Sequence, residues 1–551
     1  MGMFRNKKTN IVLLIVLAFS AVLFFQLLNG VLTSIRGGDG VNYVLLAKSI
    51  ATGHGFADIN LPGAPPHTQY PPLLPLVLSP VIYLFGFNIV WMQLIIIIFG
   101  LATVWMVKVY FEEDAGEGVA LALALLTATN FYFLFFVKEI MTEVPYAFLS
   151  LLALHYFRKY EKGAFRGGLL IAVCALAAAA YMMRMIGVTL CAAMAAVLFS
   201  GCFSGAGGGR DKWRKLIAFV ALAALPFILW TIRNSLYSEG VATYQSIFMR
   251  ADYYSEDSGG LAVVSFFGRF AKNSGYYYEA VTRTILSSSA MKGAFQGLLL
   301  RAVLFVFFVI FLAGFVYESW FKRGVKEVYI LFYFGLLTVW PVYGSGDARR
   351  YIVPVLPFIY YYFLTGVRLL ARFKEALSGH ERLKLRRAVL AVSIFLLAVN
   401  LFDIRRLLTP EAAKRSVAAA ASLPRHLAEK SPALPVEALG SFYRTAPCWD
   451  NYMLASLKLR EAAGPDDVVL ARKPEIVSLI TGGYAARFPY TRDGAAMLRF
   501  MEDMKISYVL IDGCYREAGE YVVPVILANG ERFTVLLNER DGTAILRVNR
   551  D

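Results

Sequence analysis

Charge is scarce in this chain. Only 17% of its 551 residues are Asp, Glu, Lys or Arg, where a soluble globular protein carries about a quarter. With 58% apolar residues and a mean hydropathy of +0.56, that deficit excludes an ordinary soluble domain and points to a polytopic membrane protein. Cysteine is also sparse: five are scattered, Cys174, Cys191 and Cys202 lie in or beside apolar runs, and no CxxC pair exists. A zinc or redox signature is thereby excluded. No Asn-x-Ser/Thr sequon occurs, so nothing suggests a glycosylated lumenal face. No Gly-rich phosphate loop, nucleophile motif or nucleotide-sugar fold is visible. The charge that is present has a sign. A formal net charge of +16 in a membrane protein reads as cytoplasmic loops and contact with membrane lipids, not nucleic acid.

The apolar runs set the topology. The first, from about Asn10 to Leu32, follows Arg5, Lys7 and Lys8. It is too long for a signal-peptide core and lacks a clear cleavage site, so it reads as a retained anchor with a cytoplasmic N-terminus. The stretch 71–86 is short, holds Pro71, Pro72, Pro75 and Pro80, and ends at Phe85-Gly86; it reads as an external re-entrant or interfacial helix. Spans follow near 88–110, 118–136, 141–157, 167–183, 185–201, 216–232, 297–317, 327–343, 351–371 and 388–403. With this count every strongly basic loop, including Arg158–Lys162, Arg210–Lys215 and Arg372–Arg387, falls on one side. The acidic loop Glu112–Glu117 is a mild exception. Counting 71–86 as a span would put the basic loops outside, so the positive-inside rule favours about eleven spans.

The expected architecture is an α-helical polytopic membrane domain, 1–403, with outer-face juxtamembrane helices and outer loops at 33–87 and 233–295. It is followed by an extracytoplasmic α/β domain, 404–551, with strands near 467–471, 506–511, 533–537 and 544–548 and helices near 410–430, 450–462 and 492–505. Cys448 and Cys514 both lie in it, which leaves a disulfide between them open. It carries no motif to which chemistry can be assigned. The expected localisation is multi-pass in the cytoplasmic (inner) membrane, with this domain on the periplasmic or extracellular side.

The stretch Arg36–Pro75 is too polar and too rich in Pro and Gly to be another span. Val41, Tyr43, Val44, Leu45, Ala47 and Ile50 recur at helical spacing opposite Asn42, Lys48 and Ser49, the pattern of an amphipathic helix lying along a membrane surface. Asp39 stands at its start and Gly53 and Gly55 at its end; the loop 56–70 then carries Asp58, His67 and Gln69. Alone, Asp39 reads equally well as an N-cap or a solvated loop acid. Other polar residues gather on the same outer side. Glu139 and Glu143, four apart at the start of the fourth span, share one helix face by spacing. Arg184 lies between the fifth and sixth spans, Arg233 and Asn234 close the seventh, and Asp347, Arg349, Arg350 and Tyr351 precede the tenth. Each has a bland reading: span-end arginines snorkel to headgroups, and first-turn glutamates complement the helix dipole. Together, Asp39, Glu139 and Glu143 with Arg184, Arg233, Arg349 and Arg350 suit more. Arginine grips a lipid phosphate bidentately, and the carboxylates suit a general base or, at Asp39 and Glu143, a divalent metal ion.

The chain resembles the GT-C glycosyltransferases, and within them the branch of protein O-mannosyltransferases and the bacterial aminoarabinose transferase of lipid A. The residues that carry the resemblance are Gly-Asp39-x-x-x-Tyr43 with Gly53-His54-Gly55-Phe56, Tyr70-Pro71-Pro72-Leu-Leu-Pro75 with Phe85-Gly86, Glu139-Ile-Met-Thr-Glu143-Val-Pro145, and Arg349-Arg350-Tyr351-Ile-Val-Pro354-Val-Leu-Pro357. In the last domain, Ile506-Ser-Tyr508-Val-Leu-Ile-Asp512 matches as well. The resemblance implies a polyprenyl-phosphate sugar donor (undecaprenyl phosphate if the chain is bacterial) and a lipid, glycan or protein acceptor. It implies Asp39 as the acidic residue that activates the acceptor, Glu143 as the second acidic residue with Glu139 beside it, and Arg349 or Arg350 near the donor phosphate. Substrate contacts are expected from Tyr43, His54, His67, Tyr70, Arg184, Arg233, Asp347, Arg349, Arg350 and Tyr351. The chain departs from the pattern in two places. Gly40 follows Asp39 where many members have Asp-Glu, and Tyr70 stands where the aminoarabinose branch has Lys. The alternative class, a lipid or glycan transporter or flippase, needs ionisable or unwound sites near the midplane, and most spans here are nearly free of charge at their centres.

Overall fold

The computed structural model describes residues 7–30, 39–163, 166–203, 209–237, 248–249, 263–286, 298–342, 345–378, 383–409, 414 and 447–549. The helix expected at 410–430 lies, Lys414 apart, outside the described residues, as does much of the loop 233–295. The first helices are α1 (Lys7–Phe25), α2 (Asp39–Ala51), α3 (Leu73–Phe85), α4 (Ile89–Ala115), α5 (Glu117–Thr129), α6 (Phe131–Val137), α7 (Glu143–Lys162) and α8 (Gly167–Met183). They are followed by α9 (Val188–Cys202), α10 (Gly209–Tyr237), α11 (Val263–Ile285), α12 (Leu298–Phe321), α13 (Val325–Val339), α14 (Ser345–Ile352), α15 (Leu356–Ser378) and α16 (Leu383–Leu407).

Among the described residues six helices are long and apolar enough to cross a membrane, and a seventh if α5 and α6 are one span. Those two meet at a bend of 62°, so the single span expected at 118–136 is broken. Asn130 causes the break: its own backbone is extended, and its side-chain oxygen caps α6 by accepting from the Tyr132 and Phe133 amides at 2.9 and 3.3 Å. Its Nδ2 donates to the Thr284 carbonyl (3.1 Å) and to the Tyr360 hydroxyl (3.0 Å), which ties the break to neighbouring helices.

Three further expectations change. Glu139 and Glu143 do not share a helix, because α7 begins at Glu143 and 139–142 is a bend. Pro145, without an amide proton, fits only the first turn and fixes that start. The loop 233–295 contains α11, which packs on α13 and α14. Finally, α2 is no surface helix. Gly40 through Ala47 and Ser49 are all buried, because α3 covers one side and a helix of the C-terminal unit covers another.

That C-terminal unit contains α17 (Pro447–Ala462), β1 (Val468–Ala471), α18 (Pro474–Thr481), β2 (Tyr484–Arg487), α19 (Gly494–Asp503), β3 (Ile506–Ile511), α20 (Val523–Ala528), β4 (Phe533–Asn538) and β5 (Ala544–Val548). The sheet order is β2-β1-β3-β5-β4, with β1 parallel to β2 and β3, and β5 antiparallel to β3 and β4. Cys448 and Cys514 form a disulfide that pins α17 beside the end of β3. The unit is fastened to the membrane part at two places. α18 packs on α2, and the Ala485 amide and carbonyl pair with Asn60 at 2.8 and 3.2 Å. Trp449, Tyr452 and Ile476 accordingly belong to the same apolar core as α2, α4 and α7.

The end of the bundle opposite Asp39 is held by ions. Lys326, buried, lies 3.0 Å from Asp114, 3.0 Å from Glu327 and 3.5 Å from Glu318, and Arg158 pairs with Asp114 at 2.5 Å. Glu112 pairs with Lys108 at 2.8 Å, and Glu113 with Lys162. The acidic loop 112–117 is thus largely neutralised by its neighbours, which removes the force of its exception to the charge pattern.

The tightest helix contact is between α12 and α15, where Gly314 faces Gly366. A Cβ on Gly366 would stand 1.9 Å from the Ile310 carbonyl oxygen, and one on Gly314 the same distance from that of Tyr362. Close approach through small residues is how membrane helices gain packing energy without a hydrophobic driving force. Gly366→Ala is therefore expected to destabilise the protein by about 1–3 kcal/mol, the usual cost of overpacking. Thermal unfolding in detergent checks this, and an unchanged midpoint would show that the crossing tolerates a methyl group.

Candidate functional site

Four ionised side chains from four separate segments meet at one end of the bundle. Asp39 is the first residue of α2, Glu143 the first of α7, Arg184 follows the last turn of α8, and Arg350 lies in α14. Arg350 stands between the two carboxylates: its Nη1 donates to Asp39 Oδ2 at 2.5 Å and its Nε to Glu143 Oε1. Arg184 Nη1 donates to the same Glu143 oxygen at 2.8 Å and to Thr142 Oγ1 at 3.0 Å. The Tyr70 hydroxyl donates to Asp39 Oδ1 at 2.9 Å. The result is a chain, Tyr70–Asp39–Arg350–Glu143–Arg184, in which the carboxylate of Glu143 is fully buried and its Oε2 accepts no hydrogen bond among the described residues. Arg184 and Arg350 lie 5.0 and 6.0 Å from the centre of the Tyr351 ring. The turn that presents Arg184 needs Gly187, where a Cβ would meet the Tyr181 backbone at 2.7 Å.

A cavity of about 520 Å³ opens from this chain between the membrane helices. Asp39, Tyr43, Arg184, Arg350 and Tyr351 form its polar end, and Phe227, Trp230, Leu336 and Trp340 are among the apolar residues of α10 and of α13 and its end. Ionic groups at one end and apolar walls beyond suit an amphiphile with an anionic head.

Electrostatics fix the ionisation state of Asp39. Burial would raise its pKa, but the Arg350 and Lys473 charges and the hydrogen bonds from Arg350 and Tyr70 outweigh that and hold the carboxyl below the usual carboxylate range. Burial and the Asp39 charge push the Tyr43 phenol well above its ordinary value, so it is neutral. Lys473, between β1 and α18 in the C-terminal unit, is lowered to about 8 by burial and by Arg487 and Arg472. It is the residue that sequence reasoning missed, since nothing in the C-terminal segment marked it.

The other expected residues divide. Tyr43, Arg184, Arg350 and Tyr351 line the cavity. Arg233 clamps the first outer loop instead, donating to the His67 carbonyl and, at 3.3 Å, to that of Phe56. Arg349 reaches Glu279 at 3.4 Å. His54 is exposed and bonds to Thr52 Oγ1 at 2.9 Å, Asp347 is exposed, and Glu139 is buried; none of these three lines the cavity. His67 and Tyr70 stand behind Asp39, outside the cavity wall. As for a metal ion, the arrangement does not fit one. The Arg350 guanidinium occupies the place between Asp39 and Glu143 that a cation would take, and no group of three His, Cys, Asp or Glu side chains that could hold a metal exists among the described residues.

The fold that carries this cluster is shared with solved structures of ArnT and of an archaeal oligosaccharyltransferase. Residues 69–230 match the family model of dolichyl-phosphate-mannose-protein mannosyltransferase. Among solved structures, the chain is similar to ArnT from Cupriavidus metallidurans in the apo state, with a TM-score of 0.53, 12% identity and 98% of each chain covered. It is also similar to the apo oligosaccharyltransferase of Archaeoglobus fulgidus (TM-score 0.54, 13% identity, 100% of this chain and 75% of that one). The third is the archaeal oligosaccharyltransferase AglB of the same organism in complex with an inhibitory peptide and a dolichol-phosphate (TM-score 0.53, 14% identity, 98% and 74% covered). A comparison with curated proteins returns no match.

If Arg350 is what keeps Asp39 ionised, Arg350→Gln leaves burial poorly opposed and the Asp39 pKa rises. Carbodiimide labelling of Asp39, followed by peptide mass spectrometry across pH, reads this directly. The labelling midpoint is expected at higher pH in the variant than in the wild type. An identical midpoint would mean that Arg350 is not the governing partner.

Proposed function

We propose that this protein is an inverting glycosyltransferase that moves a monosaccharide from a polyprenyl-phosphate donor to a lipid, glycan or protein acceptor. The observation that supports this best is the Asp39–Arg350–Glu143–Arg184 chain at the mouth of a largely apolar cavity between membrane helices. The dolichol-phosphate in the similar AglB structure supports the same class of donor. In this reading the prenyl chain lies along the apolar wall, and the phosphate sits against Arg350 and Arg184. An acceptor hydroxyl attacks C1 of the sugar, its proton passes to the ionised Asp39, and the C1–O bond to the phosphate breaks. A polyprenyl phosphate leaves with the bonding electrons, and the single displacement inverts C1. Tyr43 is neutral and therefore serves as a hydrogen-bond donor or acceptor at the cavity, not as a base. The transporter reading has less support, because these charges cluster at helix ends, not at the midplane.

Asp39→Asn keeps size and N-cap capacity but removes the base. It is expected to insert normally and to bind donor, yet to transfer sugar from polyprenyl-phosphate sugars at least about a hundredfold more slowly, since general-base catalysis contributes about a hundred- to ten-thousand-fold. A lost cap would cost only about 1 kcal/mol of stability. Near wild-type turnover would move the base to another carboxylate. In the same assay Arg350→Ala weakens donor affinity and Lys restores it only in part, whereas Arg349→Ala, remote from Asp39, has the smaller effect.

We further propose about eleven spans in a cytoplasmic membrane, N-terminus inside and C-terminal unit outside. The Cys448–Cys514 disulfide supports an oxidising compartment for that unit. A reporter fused after Asp403 should read as external and one after Lys162 as cytoplasmic; finding both on one side would sink the model.

A further inference from the structure

The first outer loop holds a second linear arrangement behind Asp39. His67 is buried, with Nδ1 2.7 Å from Asp58 Oδ1 and Nε2 2.7 Å from the Tyr70 amide nitrogen. An amide N–H can only donate, so Nε2 must carry the lone pair. The proton of the neutral ring therefore sits on Nδ1 and is donated to Asp58. Protonating Nε2 would abolish the bond to Tyr70. The imidazole lies parallel to the Tyr70 ring, with centres 5.4 Å apart and planes within 2°. Tyr43 meets the other partner edge-on at 5.3 Å.

The loop that carries these groups is itself braced. The Ala57–Pro66 bridge closes it. Arg233 holds the His67 and Phe56 carbonyls, and Asn234 Nδ2 donates to the Thr68 carbonyl at 3.0 Å. What this bracing fixes is the Tyr70 hydroxyl, which donates to Asp39 Oδ1 at 2.9 Å. Neither His67 nor Tyr70 lines the cavity, while their neighbours Thr68 and Pro71 do. The pair points at Asp39 from behind, away from the space a donor would fill.

We propose that Asp58, His67 and Tyr70 are positioning residues for the reaction, a relay that locks Asp39 Oδ1 so that Oδ2 is the atom presented to the acceptor. The inference rests on the reading of Asp39 as the base. Its logic is a division between two oxygens. Oδ2 is held by Arg350, a cation that the incoming phosphate competes for; Oδ1 is held by a neutral hydroxyl with no such competitor. When Arg350 turns to the phosphate, Tyr70 keeps the carboxylate oriented, and Oδ2 is released as the proton acceptor. Tyr70 is a neutral donor, which steadies the carboxylate without adding a second bonded cation that would weaken it as a base.

The test uses full-length protein in detergent, an undecaprenyl-phosphate sugar panel as donor, and carbodiimide labelling of Asp39 as a readout that needs no donor. Burial, Arg350, Lys473 and Tyr70 govern the Asp39 titration, Glu143, Arg184, Tyr43 and Tyr351 lie near it, and all but Tyr70 stay in place in Tyr70→Phe. Tyr70→Phe should lower kcat about ten- to a hundredfold, as expected for a lost hydrogen bond to a charged group, with donor KM within about twofold and the Asp39 labelling midpoint moved to higher pH. His67→Leu should do the same, and the double variant should be no worse than Tyr70→Phe, since His67 acts only through Tyr70. His67→Gln, whose carbonyl can replace Nε2 as acceptor, should recover most of the loss. Full activity and an unmoved midpoint in Tyr70→Phe would overturn the relay, as would additive losses in the double variant. If the midpoints shift as expected but no sugar is transferred by the wild type, the relay stands and the glycosyltransferase reading falls.

Discussion

The position of one guanidinium organises one end of the helical bundle of this protein. Arg350 bonds to Asp39 and to Glu143, two carboxylates carried by helices that pack through other contacts, and without it two like charges would face each other in a poorly solvated place. Burying carboxylates is costly unless each is paired and hydrogen-bonded. Here the chain of alternating charge meets that condition, and it does so with residues from four segments. The ends of α2, α7, α8 and α14 are therefore held in register by electrostatics as well as by packing, and Gly187 and Pro145 shape the turns that let the side chains converge. The other end of the bundle uses the same device. Lys326 stands among Asp114, Glu318 and Glu327, so each end of the helical body is tied by a cation among acids.

Much of this was legible in the sequence. Asp39, Glu143, Arg184 and Arg350 stand out because charge is rare, and because each falls at the end of an apolar run on the same inferred side. What spacing cannot supply is direction. Glu139 and Glu143 match a helical repeat, yet the bend at 139–142 separates them. Arg349 and Arg350 are adjacent, and only the turn of α14 decides that one reaches Asp39 and the other Glu279. The break at Asn130 was hidden inside a largely apolar run. The strand β2, with Ala485 and Ala486 at its centre, lacks the β-branched residues that mark a strand.

The burial of α2 teaches the same point about tertiary context. Its pattern of apolar residues opposite Asn42, Lys48 and Ser49 is that of a surface helix, yet Asn42 and Ser49 are buried. Ser49 has its own acceptor, the Gly55 carbonyl at 2.8 Å, so a polar face here signals a helix covered by protein, not one facing water. The cover is the C-terminal unit, and with it comes Lys473, whose charge helps keep Asp39 ionised. A segment with no motif of its own thus acts on the candidate site through electrostatics and by closing the first outer loop from above.

Charge balance gives the arrangement its chemical sense. Within the chain, two carboxylates match two guanidiniums, and Lys473 adds a cation nearby. In the proposed reading, a neutral chain beside one extra positive charge attracts an anionic phosphodiester, while the paired carboxylates temper how tightly the phosphate product is held. In that reading the carboxylates that neutralise the arginines before a phosphate arrives also return to them afterwards. Asp39 must be both partner and base for this to work, and the two roles are compatible because its two oxygens are held by different groups: one by a cation that a phosphate can draw away, the other by a phenol that it cannot.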